Sequence, residues 1–367
     1  PGMFFINDVV VRDNNGTSEV YVAAGSRKWD RILGTRGNDQ GTILGSGHDA
    51  IYKSIDSGIN WTKIELYAPL SETNKIHNLA VVPMDIELDK DNRVWASSTI
   101  SPQYSLVGDQ WGSNPPKGGG NIYRFNEEGS SATLINSIIV ERQNGAIINQ
   151  GRRTEMTFTS DNKLLVLCIA PQLDGGYWRV VPRLYKGTIE EWINGTQTEL
   201  DKPIDKDTSV EDYDFARGQG YYSVSLAAHP TNKDKAYVGG INLFSSNQAG
   251  DDWGQLTHQR GRYAQYIHAD QHSVIFNEND NNKVLFGNDG GVGYTSNGGN
   301  IVTRNKNYHT SQYYSLAVAP LGMFDNYEKL TKTVEVVQQQ LQMTRRSIMK
   351  QNEKNLDNKP FISLQHR

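Results

Sequence analysis

The sequence contains one cysteine, Cys168, among 367 residues. A single cysteine excludes an intramolecular disulfide and a zinc site built from cysteine thiolates. It does not argue against secretion, because a chain of this length can bury a large core and needs no covalent cross-links. The near-absence of cysteine therefore excludes disulfides and cysteine-based metal sites, but it does not indicate whether the protein is secreted.

Long apolar runs and an excess of basic residues are also lacking. Hydrophobic residues make up 37% of the chain, and no stretch approaches the roughly 18 apolar residues of a membrane-spanning helix. The chain carries 37 lysines and arginines against 41 aspartates and glutamates, a net charge of −4. A nucleic-acid-binding protein needs a basic face that displaces counterions. We therefore expect no nucleic-acid partner and no membrane span.

The first residues, Pro1-Gly2-Met3-Phe4, do not form a charged and then apolar leader segment. We interpret the chain as a processed mature protein or a fragment. On this interpretation we expect it to be part of a larger chain or assembly.

Glycine and aromatic residues are abundant, at 35 glycines and 10% aromatics, which is typical of many short strands joined by tight turns. The chain also repeats internally. Lys235–Gly239 aligns with Lys283–Gly287 at an offset of 48 residues, and a third copy ends at Ile51–Trp61. Two weaker copies begin near Leu79 and Thr157, and a sixth begins at Tyr313–Ala319.

Repeats of about forty to fifty residues, each with about four short strands, are typical of propeller blades. We therefore predict an all-β fold, a β-propeller of repeated four-stranded blades over residues 1–320. Residues 321–367 form a separate tail. There Leu330, Val334, Val337 and Leu341 are spaced four, three and four residues apart, which predicts an amphipathic C-terminal helix.

A turn motif occurs in full as Ser54, Asp56, Gly58 and Trp61. In a hairpin, the aspartate accepts backbone N–H bonds across the turn, the glycine supplies a positive φ, and the tryptophan packs between layers. We therefore expect Trp61 to be mostly buried. Degenerate copies comprise Ser246, Gln248, Gly250 and Trp253, and Thr295, Asn297, Gly299 and Val302.

This set of motifs resembles the Asp-box, or bacterial neuraminidase repeat, of β-propellers, over residues from about 8 to 319. Sialidases, xyloglucan-cleaving glucanases, sortilin-like receptor domains and a photosystem assembly factor share it. His268–His272 followed by Gly287–Gly291 is similar to sortilin-like repeats of large secreted proteins of Gram-negative bacteria. The resemblance implies an extracellular or outer-surface location in such a bacterium.

The resemblance to sialidases also implies an arginine triad, of which Arg31 in Asp30-Arg31-Ile32-Leu33 is a faint echo. A xyloglucanase would need two carboxylates across a cleft, for which Asp270 and Asp289 are candidates. Asp-box turns themselves lie at the blade periphery, so their residues predict fold rather than chemistry.

His268, Asp270 and His272 alternate, so on a strand their side chains would point to the same side, with Asp289 in the following turn. Such a set suits either a metal site or a hydrogen-bonded network near the axis, and we favour the network. We accordingly predict neither a bound metal nor any other cofactor.

Two insertions, residues 24–48 and 103–120, carry Trp29, Arg31 and Trp111. Exposed aromatic side chains on loops commonly stack on sugars or peptides, although these could equally cover the ends of the propeller. We predict a secreted or cell-surface module for binding, adhesion or scaffolding, with a glycan or protein ligand and no catalytic activity. The alternative is an extracellular glycoside hydrolase, sialidase-like or xyloglucanase-like.

Overall fold

The computed structural model describes residues 6–25, 49–69, 78–99, 119–143, 146–174, 177–212, 214–248 and 250–303. The chain divides into two units, residues 1–308 and 309–367, and every described residue belongs to the first. The predicted helix in the tail lies outside the described residues. The same holds for Trp29, Arg31 and Trp111 in the insertions.

Five antiparallel four-stranded sheets dominate the described chain, and we number them as blades 1 to 5. Two short hairpins, of two strands each, lie between blades 1 and 2 and between blades 2 and 3 along the chain. Blade 1 contains β1 (Ile6–Asn14), β2 (Thr17–Ala24), β3 (Ala50–Ser54) and β4 (Thr62–Ile64), and the hairpin after it contains β5 (Tyr67–Pro69) and β6 (Asn78–Ala80). Blade 2 contains β7 (Val82–Leu88), β8 (Val94–Thr99), β9 (Asn121–Phe125) and β10 (Ala132–Ser137), and the hairpin after it contains β11 (Ile139–Gln143) and β12 (Ala146–Gln150). Blade 3 contains β13 (Thr154–Phe158), β14 (Leu164–Asp174), β15 (Tyr177–Gly187) and β16 (Thr198–Leu200); blade 4 contains β17 (Ser225–Ala228), β18 (Ala236–Gly239), β19 (Leu243–Ser246) and β20 (Trp253–Gln255); and blade 5 contains β21 (Gln271–Asn277), β22 (Asp280–Asn288), β23 (Gly291–Thr295) and β24 (Ile301–Thr303).

Each blade is a meander, in which every strand pairs with the next along the chain. The first strands of successive blades are neighbours in the order β1, β7, β13, β17 and β21. The described residues therefore form a five-bladed β-propeller with the first strand of each blade nearest the axis. The predicted all-β fold of repeated four-stranded blades is confirmed.

The antiparallel pairing fixes which connections share an end of the propeller. The first strand of a blade begins at the end where its second strand stops and its third begins. We call this end the entry face. The two sequence insertions join β2 to β3 and β8 to β9, so the strand ends that carry them lie on the entry face.

Apolar side chains between adjacent blades form the core. Tyr21 of blade 1 packs edge-on against Phe125 of blade 2, with ring centroids 5.9 Å apart. Tyr237 of blade 4 packs in the same way on Phe286 of blade 5, at 5.5 Å. Removing one such side chain from water contributes about 1.5–3 kcal/mol, so the contacts between blades stabilise the fold.

A short helix, α1 (Ile189–Asn194), follows β15 and packs against β10 and β15. Thr188 and Glu191 form a reciprocal capping box at its start, and Gly195 ends it at φ 71°. Trp192 is fully buried, and its indole Nε1 donates to the carbonyl of Leu164 at 3.1 Å. The sequence analysis missed this helix, although Thr188-x-x-Glu191 is a helix-start signal.

A side-chain acceptor closes the turn between the first and second strands in every blade. In each case the side chain at the end of the first strand accepts a backbone N–H from the turn. The acceptors are Asp13, Asp89, Thr159, His229 and Asn277. Four different residue types perform this role, which is why it is hard to recognise in the sequence.

The turn between β3 and β4 has the geometry that its motif predicts. The Ser54 hydroxyl accepts the Gly58 N–H at 2.9 Å, and Asp56 Oδ1 accepts the Asn60 N–H at 2.8 Å. Gly58 has φ 87°. The Trp61 indole donates to the Gly58 carbonyl at 2.9 Å. The side chain of Trp61 is nevertheless only half-buried, because it lies at the edge of its blade rather than between layers.

The two degenerate copies close equivalent turns in blades 4 and 5. Ser246 accepts the N–H groups of Gln248 and Gly250, both at 3.1 Å. In the last copy Thr295 accepts from Asn297, but the glycine with positive φ is Gly298 rather than Gly299. The motif thus keeps its hydroxyl acceptor while the glycine position shifts by one residue.

We predict that Trp95→Ala lowers the free energy of unfolding by about 3–5 kcal/mol. Trp95 is fully buried, and its indole donates to the Asp89 carboxylate at 2.9 Å. Trp61→Ala should cost clearly less, because that ring already contacts solvent. Urea unfolding of both variants measures the difference, and equal losses would contradict the assignment of Trp61 to the blade edge.

Candidate functional site

The predicted site residues lie at the entry face of blade 5. His272 is on β21, and Asp289 is in the turn between β22 and β23. The strand begins only at Gln271, and Asp270 adopts φ 66°. The expectation that His268, Asp270 and His272 alternate along one strand is therefore wrong, because the backbone turns at Asp270.

Three side chains meet on one carboxylate oxygen. Asp289 Oδ1 lies 2.6 Å from His272 Nε2 and accepts the hydroxyl of Tyr222 at 2.8 Å. The rings of Tyr222 and His272 stand edge to face, with centroids 4.9 Å apart. Tyr222 immediately precedes blade 4, so this group, which we call the axial cluster, links blades 4 and 5.

Asp270 lies beside the axial cluster. Its backbone N–H donates to the carbonyl of Ile241 at 3.2 Å, which ties the residue to the turn between β18 and β19. Burial raises the pKa of Asp270 above its ordinary value, and the nearby charge of Asp289 raises it further. This carboxyl group therefore favours its neutral form more than an exposed aspartate does.

His268 stays outside the cluster. Its side chain is exposed, and Nδ1 contacts the carbonyl of Ala269 at 3.2 Å. Gly290 passes so close to His268 that a Cβ at position 290 would lie 2.4 Å from the histidine side chain. Of the four predicted residues, His272 and Asp289 are thus in contact, Asp270 lies beside them, and His268 borders the turn.

Several side-chain atoms in this region have no hydrogen-bond partner among the described residues, and two of them bear on ligand binding. They are Nδ1 of His272 and Oε1 of Gln271, whose side chain is 1% exposed. The amide nitrogen of Gln271 donates to the carbonyl of His268 at 2.7 Å, which leaves Oε1 as the open acceptor. Unsatisfied buried acceptors are uncommon in folded proteins, and a donor from water or a ligand is the usual partner.

Arg153 anchors the axial cluster to blade 3. Its guanidinium is almost fully buried and donates to the carbonyls of Tyr222 at 2.6 Å and Val224 at 3.0 Å. It also pairs with the carboxylate of Glu155 at 2.6 Å. The sequence analysis missed both Arg153 and Tyr222. The sequence feature that could have identified these two residues is their position shortly before the first strand of a blade.

A second group of carboxyls lies on the first strands of blades 1 to 3. Asp8 and Asp85 share a hydrogen bond, and burial raises the pKa of both. Asp85 also accepts the backbone N–H of Met156 at 2.6 Å. Burial raises the pKa of Glu87 to about 8. The negative charge of Glu155 opposes ionisation of all three groups, so protons are retained here that exposed carboxyls would lose.

No cluster of histidine, cysteine, aspartate or glutamate in the described part of the chain has an arrangement that could hold a metal ion. The axial cluster is a hydrogen-bonded group, with contacts of 2.6 and 2.8 Å.

A separate groove of about 630 Å³ lies beside Trp253 at the rim of the propeller. Four carboxylates line it together with one lysine and an exposed isoleucine. The indole of Trp253 donates to the carbonyl of Asp201 at 3.1 Å. The groove combines an aromatic surface with acidic groups and is distinct from the axial cluster.

Comparison with known proteins assigns no family to the chain. No protein-family model and no curated protein matches it. Among solved structures, the GH74 xyloglucanase from Xanthomonas campestris aligns at 13% identity and a TM-score of 0.43, over 79% of this chain and 36% of that one. YCF48 from Cyanidioschyzon merolae aligns at 13% identity and 0.39, over 80% of this chain and 68% of that one.

A third structure, a protein of unknown function from Dyadobacter fermentans, aligns at 12% identity and a TM-score of 0.41, over 80% of this chain and 79% of that one. The chain spans about a third of the length of the xyloglucanase it matches. The similar structures include both a glycoside hydrolase and proteins of other kinds, so the shared architecture does not assign a function.

The buried carboxyls predict a pH dependence of stability. Because the folded state holds the Asp85 proton more tightly than the unfolded chain does, stabilisation present in acid is lost as the pH rises above the ordinary carboxyl pKa of about 4. Asp85→Asn cannot ionise and still offers an oxygen to Met156. We expect the variant to lose less stability than the parent between pH 5 and 8, by about 1.4 kcal/mol for each pH unit of that range over which folded Asp85 keeps its proton.

Urea unfolding at several pH values measures this difference, with Asp13→Asn on the exposed turn of blade 1 as the control. Parallel pH profiles for the parent and Asp85→Asn would contradict the prediction.

Proposed function

We propose that the chain is a secreted or cell-surface propeller module that binds a glycan at its entry face and does not catalyse a reaction. The extracellular part of this proposal rests on the resemblance to sortilin-like repeats. None of the helices in the described residues has the length and apolar character needed to cross a bilayer. The binding part rests on the axial cluster.

One observation carries the proposal: open acceptors lie next to two partly exposed aromatic rings. His272 Nδ1 and Gln271 Oε1 are buried and need donors, which a water that bridges them to a sugar hydroxyl would supply. The rings of Tyr222 and His272 are fixed by their shared contact with Asp289, so they lose little freedom on binding a ligand. A preorganised aromatic surface beside hydrogen-bond acceptors is well suited to a carbohydrate.

The engagement of Asp289 argues against catalysis. Retaining and inverting glycosidases use two carboxyl groups that both act on the glycosidic bond or on water. Here Asp289 Oδ1 already accepts from Tyr222 and contacts His272. In this arrangement the carboxylate orients its neighbours instead of facing a substrate.

Glycoside hydrolysis is the second candidate, and one observation favours it. Asp270 has a raised pKa and lies within the field of Asp289. A carboxyl group that keeps its proton beside one that is ionised is the usual acid–base pair of glycosidases. If the protein is a hydrolase, Asp270 would be its general acid.

We predict that the parent protein binds members of a printed glycan array and that Tyr222→Phe binds about two- to tenfold more weakly, since immobilising a freed side chain on binding costs about 0.5–1.5 kcal/mol. The substitution keeps the ring but removes the hydroxyl that fixes Asp289. Tyr67→Phe, at an exposed tyrosine of the first hairpin, is the matched control. Binding that persists in Tyr222→Phe but disappears in Trp253→Ala would move the site to the rim groove.

We also predict no turnover of sialyl or β-glucan reporter substrates above buffer. Release of the reporter group by the parent protein, lost in Asp270→Asn with binding retained, would establish the hydrolase instead. Unfolding curves of the variant verify that the fold is intact.

A further inference from the structure

The connection between blades 4 and 5 carries basic and aromatic side chains on its surface. We call residues 259–266 the basic loop; their sequence is Gln259-Arg260-Gly261-Arg262-Tyr263-Ala264-Gln265-Tyr266. Arg260 and Arg262 are exposed, and the exposed fractions of Tyr263 and Tyr266 are 45% and 56%. The loop contains no aspartate or glutamate. It therefore presents two positive charges and two aromatic rings to solvent.

The two guanidinium groups of the basic loop are not used for ion pairs that support the fold. Arg12, Arg153 and Arg217 each pair with a carboxylate at 2.6–2.8 Å. Within the part of the chain that the structure describes, neither Arg260 nor Arg262 forms an ion pair with a carboxylate. Their charges are therefore available to an anionic group of a ligand.

The backbone of the basic loop is fixed by His258, whose side chain is fully buried. The imidazole Nδ1 accepts the backbone N–H groups of Arg260 at 3.1 Å and Arg262 at 3.4 Å. The ring of Tyr263 packs edge-on against the same imidazole, with centroids 5.1 Å apart. The His258 N–H donates to the carbonyl of Gln265 at 2.9 Å, which joins the ends of the loop. Because the loop backbone is ordered before a ligand binds, binding costs less conformational entropy.

Both ends of the basic loop connect to strand ends at the entry face. The loop follows β20, which ends at this face, and leads to β21, which begins there. Tyr266 precedes His272 of the axial cluster by six residues. The axial cluster contains Asp289 and has Asp270 beside it, so one part of this region is acidic and the other is basic. A ligand that contacts both parts is oriented by the separation of charge.

We propose that the basic loop binds the acidic sugars of an anionic glycan whose neutral sugars contact the axial cluster. The inference rests on the proposed function, which supplies a glycan at the entry face. A guanidinium binds a carboxylate or a sulfate group through two parallel hydrogen bonds, and a tyrosine ring packs against the apolar face of a sugar. The ligand class is a polysaccharide in which acidic and neutral sugars alternate. The net charge of −4 favours such a glycan over a nucleic acid, which needs a broad basic face.

Calorimetric titration of the full chain with matched hexasaccharides tests the proposal. Hyaluronan hexasaccharide alternates glucuronate with N-acetylglucosamine, chitin hexasaccharide contains only N-acetylglucosamine, and chondroitin sulfate hexasaccharide carries sulfate as well as carboxylate. We expect the parent to bind the acidic hexasaccharides about three- to tenfold more tightly than the neutral one, because exposed ion pairs contribute modestly. This preference should weaken as the salt concentration rises.

The double variant Arg260→Gln, Arg262→Gln should lose the preference for acidic hexasaccharides and keep the parent's affinity for the neutral one. Arg93→Gln is the matched control, because it removes the same side chain from the turn after β7 at the opposite end of the propeller. The control should behave as the parent does. Whichever acidic hexasaccharide binds more tightly, and loses that affinity in the double variant, identifies carboxylate or sulfate as the group that the loop binds.

Three outcomes would overturn the proposal. They are equal affinity for the acidic and neutral hexasaccharides, an acidic preference that the double variant retains, and tighter binding of single-stranded oligothymidylate than of any glycan. If Tyr222→Phe weakens glycan binding in the first two cases, the proposed function survives without this inference. If loop-dependent binding of hyaluronan hexasaccharide is unchanged in Tyr222→Phe, the axial site fails and the basic loop remains the anion-binding site. A parent protein that binds no glycan overturns both.

Discussion

Each blade of this propeller has two apolar faces, and only contact with a blade on either side removes both faces from water. Tyr237 shows the constraint most clearly, since it belongs to blade 4, is fully buried, and packs against Phe276 and Phe286 of blade 5. Contacts between sheets thus stabilise the fold. The positions of the first strands, and with them the entry face, follow from this packing.

Polar side chains at the entry face connect the blades in a second way. Glu155 pairs with Arg153, which donates to the carbonyl of Tyr222, whose hydroxyl donates to Asp289 beside His272. This series links blades 3, 4 and 5. Arg153 is its one almost fully buried member, and the other four side chains are partly exposed. Hydrogen bonds to a buried charged group are strong and costly to break. The site that we propose for ligand binding is therefore also part of the support of the fold.

The repeat period and the alternation of short apolar runs were sufficient to predict the blades, because both follow directly from local sequence. The turn at Ser54 was predictable for the same reason, since its hydrogen bonds all lie within the eight residues Ser54–Trp61. The axial cluster was predicted only in part. Its members Tyr222 and Asp289 are 67 residues apart, and the turn at Asp270 cannot be read from a pattern of alternating residues.

Helix α1 and the half-buried Trp61 show a different limit. The capping box at Thr188 was present in the sequence, but the surrounding strand pattern outweighed it. Trp61 has the residue type of a core position, yet its place at the blade edge depends on which elements lie above it. The burial of a side chain depends on which elements pack around it in the folded protein, and a local sequence motif does not contain that information.

The meander order of the strands has a consequence for how the protein can change over evolutionary time. Among the described strands, every hydrogen-bonded pair within a blade joins neighbours in the chain, so the pairing seen in each blade is local. Duplicating or deleting one 48-residue unit would leave the register of every other sheet intact. Blade number is therefore a quantity that can vary among descendants of one gene, while the pairing inside each blade is inherited unchanged.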